Sequence, residues 1–138
     1  MDVKVKLVES VQWVASADSG HGVVLDGSPE IGGQNLGMRP MEMVLAGLGG
    51  CTAMDVISIL RKSRQDVTDC VIEVHADRAD TVPKVFTKIH IHYVVTGRNL
   101  RESAVERAVK LSADTYCSVS KMLAATVAIT HDFEVRAL

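Results

Sequence analysis

Three cysteines, Cys51, Cys70 and Cys117, offer the chemistry that reaches furthest beyond packing. Cys117 stands just ahead of a short helical run, Ser118 to Ala124. A helix N-terminus presents N–H groups and partial positive charge, which lower a thiol's pKa. Cys51 lies inside the uncharged run Met43 to Met54. A free cysteine in such a setting packs as a small hydrophobe more often than it reacts. Cys70 begins a strand on its apolar side and reads as structural. Met38, Met41, Met43 and Met54 surround Cys51, and Met122 follows Cys117. Thioethers suit an adaptable apolar pocket, although Met more often fills a core. An odd, sparse cysteine count argues against a disulfide scaffold and for a reducing compartment, so a cytoplasmic location is expected.

Other residues carry weaker signals. His90 and His92 share one strand face, with His75 on the same sheet surface, but their alternation with Ile89 and Ile91 makes them solvent-face histidines before metal ligands. His131 falls on an apolar strand face and reads as a core or interface residue. Gly47-Leu48-Gly49-Gly50 lies within a helix, not at a strand-to-helix turn, so it is no dinucleotide fingerprint. Gly32-Gly33 reads as a turn and Lys121 as a surface lysine. No cofactor and no metal are expected.

The composition excludes several partners. The formal charge of −2 leaves no basic excess for nucleic acid or an anionic membrane. Five aromatic residues are too few for a base-stacking platform. The N-terminal residues alternate charge and apolarity and show no secretory h-region. The charge-free run Met43–Met54 falls short of the roughly 20 apolar residues that a membrane span needs.

A length of 138 residues suits a single domain over residues 1–138. Val3, Val5 and Leu7 alternate with charged residues, and a strand is expected to run on through Val11, Trp13 and Ala15. Asp18-Ser19-Gly20 turns the chain, and His21 to Asp26 return. A Gly- and Pro-rich loop, Gly27 to Gly37, leads to Pro40 at the first turn of a helix that reaches Arg61 or Lys62. Its central stretch is apolar all round and must be buried all round, which one short chain does with difficulty; a homodimer is expected. Ala46, Gly47, Gly49, Gly50 and Ala53 would let another backbone approach. Two strands follow, Asp69–Asp77 and Lys84–Thr96, as a hairpin centred near Asp80 with Glu73 opposite Lys88. Asn99 and Glu102 read as a capping box opening a helix to about Asp114, with Ala104, Val105, Ala108, Leu111 and Ser112 buried. After the short helix behind Cys117, a last strand alternates cleanly from Val127 to Arg136. Segregated strands and helices make the class α+β.

The run Arg39-Pro40-Met41-Glu42-Met43-Val44-Leu45-Ala46-Gly47-Leu48-Gly49-Gly50-Cys51-Thr52-Ala53-Met54-Asp55 resembles the first cysteine helix of OsmC/Ohr-type hydroperoxide reductases. Tyr116-Cys117-Ser118-Val119-Ser120-Lys121-Met122-Leu123 resembles their second cysteine motif. Pro29 to Gly33 and the Gly-Gly-Cys-Thr-Ala-Met-Asp core are similar to the YhfA-like branch. The resemblance implies the OsmC-like fold, with antiparallel sheets around a long central cysteine-bearing helix in an intertwined homodimer. It also implies a two-cysteine peroxidase acting on a small apolar organic hydroperoxide in oxidative-stress defence. Cys51 would attack the O–O bond, Cys117 would resolve it, and a dithiol reductant would restore both. The family's activating Arg has no counterpart before Arg39, and its Glu directly after the Pro is Met41 here. Arg39 and Glu42 are the substitutes on offer, although nine positions put Glu42 about 180° from Cys51 on a straight helix. Asp55, one turn after Cys51, would raise a neighbouring thiol's pKa. These departures leave a second reading, a catalytically weak member serving as redox sensor or small apolar ligand-binding dimer.

Overall fold

The computed structural model describes residues 1–138. It divides into two compact units, Met1–Leu45 and Ala46–Leu138, with the boundary inside the long helix. In the first unit, β1 (Val3–Glu9), β2 (Gln12–Ala17) and β3 (Gly22–Leu25) form an antiparallel sheet in that order. The expected continuous first strand is in fact β1 and β2, a hairpin. The chain reverses at Ser10, which takes a left-handed φ of 49°. The turn was hidden because no Gly, Asn or Asp marks it, and those are the residues that take positive φ at least cost. At the next turn Gly20, at φ 93°, supplies that conformation openly. A 3₁₀ turn at Pro29–Ile31 follows. The loop then folds so closely that a Cβ on Gly33 would collide with the Gly27 carbonyl.

The long helix α1 (Pro40–Lys62) begins as expected. Its buried residues, Leu48, Thr52, Val56 and Leu60, form an i, i+4 stripe. Burial all round is not achieved within one chain: Val44 and Met54 are exposed. By length and composition α1 could cross a membrane, its most apolar 18-residue window having a mean hydropathy of 1.8. Counting only the charge-free run underestimated this, since a helix keeps its apolar character across an isolated charge such as Asp55.

The second unit is built on a sheet ordered β4 (Asp66–Arg78), β5 (Phe86–Arg98), β6 (Ala128–Ala137). β4 and β5 are antiparallel, with Glu73 opposite His92 and Lys88 opposite Asp77. The expected Glu73–Lys88 pairing is therefore displaced, because the turn centres later than Asp80. The displacement is by an even number of residues, so each side chain keeps its expected face. β5 and β6 are parallel, which corrects the expectation of antiparallel sheets throughout. The crossover that parallel pairing requires is α2 (Glu102–Leu111), a π-helical turn (Ser112–Tyr116) and α3 (Ser118–Leu123). The capping box does not form. Arg101 is the N-cap of α2 without a side-chain cap bond, and Asn99 takes a left-handed φ of 51°. α2 buries Val105, Ala108 and Val109, so Val109 joins the expected stripe while Ala104 and Leu111 lie at its half-buried margins.

Candidate functional site

α1 carries Cys51 and, one turn on, Asp55 on the same face. Cys117 arrives from within the crossover, between the π-helical turn and α3. The π-helical turn sets its position: the Cys117 N–H donates to the Ser112 carbonyl five residues back, at 2.9 Å. One ligand atom from each of Cys51, Asp55 and Cys117 lies within 4.8 Å of the others. The two sulfurs are thus neighbours. Cys51 is half-buried and Cys117 is only 2% exposed. A metal ion is the one kind of cofactor this trio could hold.

A chain of buried hydroxyls stands behind the trio. Tyr93 Oη meets Thr52 Oγ1 at 2.6 Å, Thr52 Oγ1 meets Ser112 Oγ at 2.7 Å, and Ser112 Oγ donates to Asp55 Oδ2 at 2.9 Å. A carboxylate only accepts, and each hydroxyl has one proton to give. The polarity therefore runs one way, from Tyr93 through Thr52 and Ser112 to Asp55. Thr52 and Ser112 are at most 1% exposed, and no buried side-chain nitrogen or oxygen lacks a partner. Neither Thr52 nor Tyr93 was singled out from the sequence. The available signal was a hydroxyl at each apolar-face position, which a pattern of apolar residues absorbs without notice.

Electrostatics separate the two sulfurs from simple expectation. Burial pushes the Cys117 thiol up to about 11, and the Cys51 sulfur and Asp55 carboxylate beside it add to the rise. The Ser120 N–H donates to Cys117 Sγ at 3.4 Å and lowers the value, but burial outweighs it. The expected lowering at a helix N-terminus is therefore reversed. Burial also raises Tyr93, despite its hydrogen bond to Thr52.

Arg39 and Glu42 have their own tasks in the first unit. Glu42 Oε1 accepts the Arg39 backbone N–H at 2.8 Å, half of a capping box. The Arg39 guanidinium donates to the Gly37 carbonyl at 3.1 Å, and its charge helps hold Asp26 low. Burial pushes the Asp26 carboxyl up, but the N–H groups of Gly27, Leu36 and Gln34 win and keep it below the usual carboxylate range.

The remaining candidates lie apart from the sulfurs. Cys70 is half-buried on β4, its thiol pushed up by burial and then by Asp69. On the solvent face of the sheet, Asp132 takes hydrogen bonds from His90 at 2.9 Å and His92 at 2.7 Å. His131 is exposed at the sheet surface, its ring edge-on to Tyr93. Met54 and Met122 point outward, at 77% and 70% exposure, and Met54 lines a separate open groove with Ala53, Ile57 and Arg61. A cavity of 580 Å³ opens beside the trio, with Asp55, Ile59, Arg107, Leu111 and Tyr116 in its wall.

Comparison with known proteins fits this geometry. Residues 32–132 match the family described as OsmC-like protein. Protein YhfA of Escherichia coli K12 is 47% identical over 135 residues, covering 98% of each chain. A hypothetical protein from Aquifex aeolicus superimposes with a TM-score of 0.87 at 31% identity, covering 99% of this chain and 96% of the other. The organic hydroperoxide resistance protein OhrB of Bacillus subtilis superimposes with a TM-score of 0.64 at 17% identity, covering 97% and 98%; that likeness is one of fold. A family match through both cysteine motifs, with a relative alike along nearly the whole length, leads to one assignment: the chain belongs to the OsmC-like protein family.

Proposed function

We propose that the chain is a two-cysteine thiol peroxidase for small organic hydroperoxides, working as a cytoplasmic homodimer built from one OsmC-like domain. The family assignment supports a redox or peroxide-related role. The observation that carries the finer reading is the pair of sulfurs within 4.8 Å, the outer one half-exposed and the inner one buried. The more accessible Cys51 meets the peroxide. Its thiolate attacks the O–O bond and becomes a sulfenic acid, and the alkoxide leaves. Cys117, held protonated at neutral pH, supplies the proton that turns alkoxide into alcohol. The Cys117 thiolate left behind then attacks the sulfenic sulfur; the S–S bond forms and hydroxide leaves, joining the proton first lost by Cys51 as water. A dithiol reductant returns two electrons and two protons. Arg39 and Glu42 contribute by fixing the start of the helix that carries Cys51.

A dimer is supported by the uncovered side of α1. Val44 and Met54 are exposed, and Gly47 and Gly50 have open space where a Cβ would stand. A second reading, a weakly catalytic member that binds a small apolar ligand, draws on a cavity of 390 Å³ in the first unit lined by Val5, Val11, Trp13, Leu25 and Ile31.

The test treats reduced protein with cumene hydroperoxide and reads the intact mass without reductant. Loss of two hydrogens, mapped to Cys51 and Cys117, followed by turnover with a dithiol, is the expected result. Oxidation without turnover favours the second reading. If Cys51→Ser consumes peroxide as fast as wild type, Cys51 is not the attacking residue.

A further inference from the structure

We propose that Cys51, Asp55 and Cys117 form a three-donor site for a thiophilic divalent cation, zinc above all, with a solvent molecule completing the tetrahedron. The donor set is two sulfurs and one carboxylate oxygen, all within 4.8 Å of one another. A tetrahedral zinc, with bonds of about 2.3 Å to sulfur and about 2.0–2.2 Å to oxygen, spaces its ligands roughly 3.5–3.8 Å apart. The three donor atoms therefore need to close by about 1.0–1.3 Å at most.

The chemistry of the donors narrows the occupant. Magnesium and calcium take oxygen ligands, so two sulfurs exclude them as the preferred guests. Thiolates select zinc and copper(I), and a carboxylate third ligand favours the divalent ion. Three protein ligands with an open fourth position is the coordination of a reactive zinc rather than a closed structural one.

The second layer is built as a metal site's should be. Carboxylate ligands are normally oriented by hydrogen bonds from outside the coordination sphere. Asp55 receives Ser112 Oγ at Oδ2, and Ser112 is itself anchored through Thr52 to Tyr93. The buried chain thus fixes the carboxylate while engaging one of its two oxygens. Cys117 is fixed by the π-helical turn and by the Ser120 N–H. Asp55 sets a carboxylate beside the two sulfurs, a negative group that a bound cation pairs with. The cavity in whose wall Asp55 stands brings solvent to the carboxylate. On binding, each thiol gives its proton to solvent as its sulfur–metal bond forms, and no electron is transferred.

Binding does not depend on peroxide turnover. Its consequence does, and in that respect it rests on the proposed function: a metal-held pair of thiolates is withheld from hydroperoxide, so zinc acts as a reversible inhibitor.

The experiment titrates fully reduced protein with zinc against a chromogenic chelator. Cobalt is used in parallel to read thiolate-to-metal charge transfer. One ion per chain is expected. Cys51→Ser and Cys117→Ser should each weaken binding on the order of 100-fold or more, and Asp55→Asn by about tenfold to 100-fold. Cys70→Ser should bind as wild type. Asp55→Asn keeps the side-chain shape, and far-ultraviolet circular dichroism checks each fold. Absence of stoichiometric binding, indifference to Asp55→Asn, or a loss confined to Cys70→Ser each overturns the site. A separate arm adds zinc before cumene hydroperoxide and then removes it with a chelator. Loss and recovery of peroxide consumption supports the inhibitory role. A reduced protein that binds zinc but never consumes peroxide retires the peroxidase reading and leaves the metal site standing.

Discussion

At the scale of single residues, the hydroxyl chain is the feature with the sharpest energetic consequence. Tyr93 is fully buried, and its hydroxyl's recorded partner is Thr52. Thr52→Val is nearly isosteric but orphans that hydroxyl, at a cost of about 1–3 kcal/mol. Tyr93→Phe leaves Thr52 still bonded to Ser112, so it costs about 0.5–1.5 kcal/mol. The double variant should lose less than the sum, because the second change removes the group the first had orphaned. Urea unfolding of the four proteins gives the coupling directly; strict additivity would mean that the two groups do not share a bond. Cys117 gives a pH prediction. Its folded thiol lies at about 11 against an unfolded value of 9.0, so its contribution is fully present below 9.0. As pH rises towards 11 the unfolded chain ionises first and stability falls. Cys117→Ser should flatten that fall, measured as unfolding midpoints across the alkaline range. Asp55→Asn, by removing a negative neighbour, should move the alkylation midpoint of Cys117 downward.

At the scale of elements, the π-helical turn Ser112–Tyr116 decides whether the two sulfurs meet. It carries one more residue than an α-turn would need, and that residue rotates Cys117 relative to α2. Deleting Ala113 restores α-helical spacing and swings Cys117 by about 100°. The expected outcome is loss of the proposed peroxide-induced Cys51–Cys117 disulfide with the helical spectrum retained; a disulfide forming at the wild-type rate would show that the turn is not what aligns the sulfurs. This element was not legible in the sequence, because Ser112-Ala113-Asp114-Thr115-Tyr116 contains no residue that discriminates π from α. The strands were legible wherever one face is apolar: Ile89, Ile91 and Tyr93 alternate with Lys88, His90 and His92. Their pairing direction was not, since alternation reads the same for parallel and antiparallel neighbours. Ser10 concealed a reversal for the opposite reason, a strained backbone carried by a residue that does not advertise it. The sulfurs themselves stood out through their flanking motifs, whereas Thr52, Tyr93 and Ser112 were camouflaged on apolar faces.

At the scale of the whole molecule, α1 keeps an apolar side that its own chain does not cover. The most apolar 18-residue window of the helix has a mean hydropathy of 1.8, and 22% of it is buried within one chain. Contiguous apolar surface on a stable protein marks an interaction site, which is the ground for the proposed dimer. Gly47 and Gly50 decide between a lone chain and a dimer by the sign of one measurement. Glycine in a helix interior costs about 1 kcal/mol relative to alanine. Each position has open space for a Cβ within the chain. In a monomer, Gly47→Ala and Gly50→Ala should therefore each stabilise by about 1 kcal/mol, independent of protein concentration. In the proposed dimer a second backbone occupies that space, and the added methyl groups hold it off. The expected result is a lower thermal midpoint that recovers as concentration rises, since mass action ties the stability of a dimer to its concentration. Light scattering on the wild type should give twice the 14.9 kDa of one chain. A wild-type mass of one chain, with both alanine variants gaining stability, would remove the dimer and leave the apolar side of α1 for a different partner.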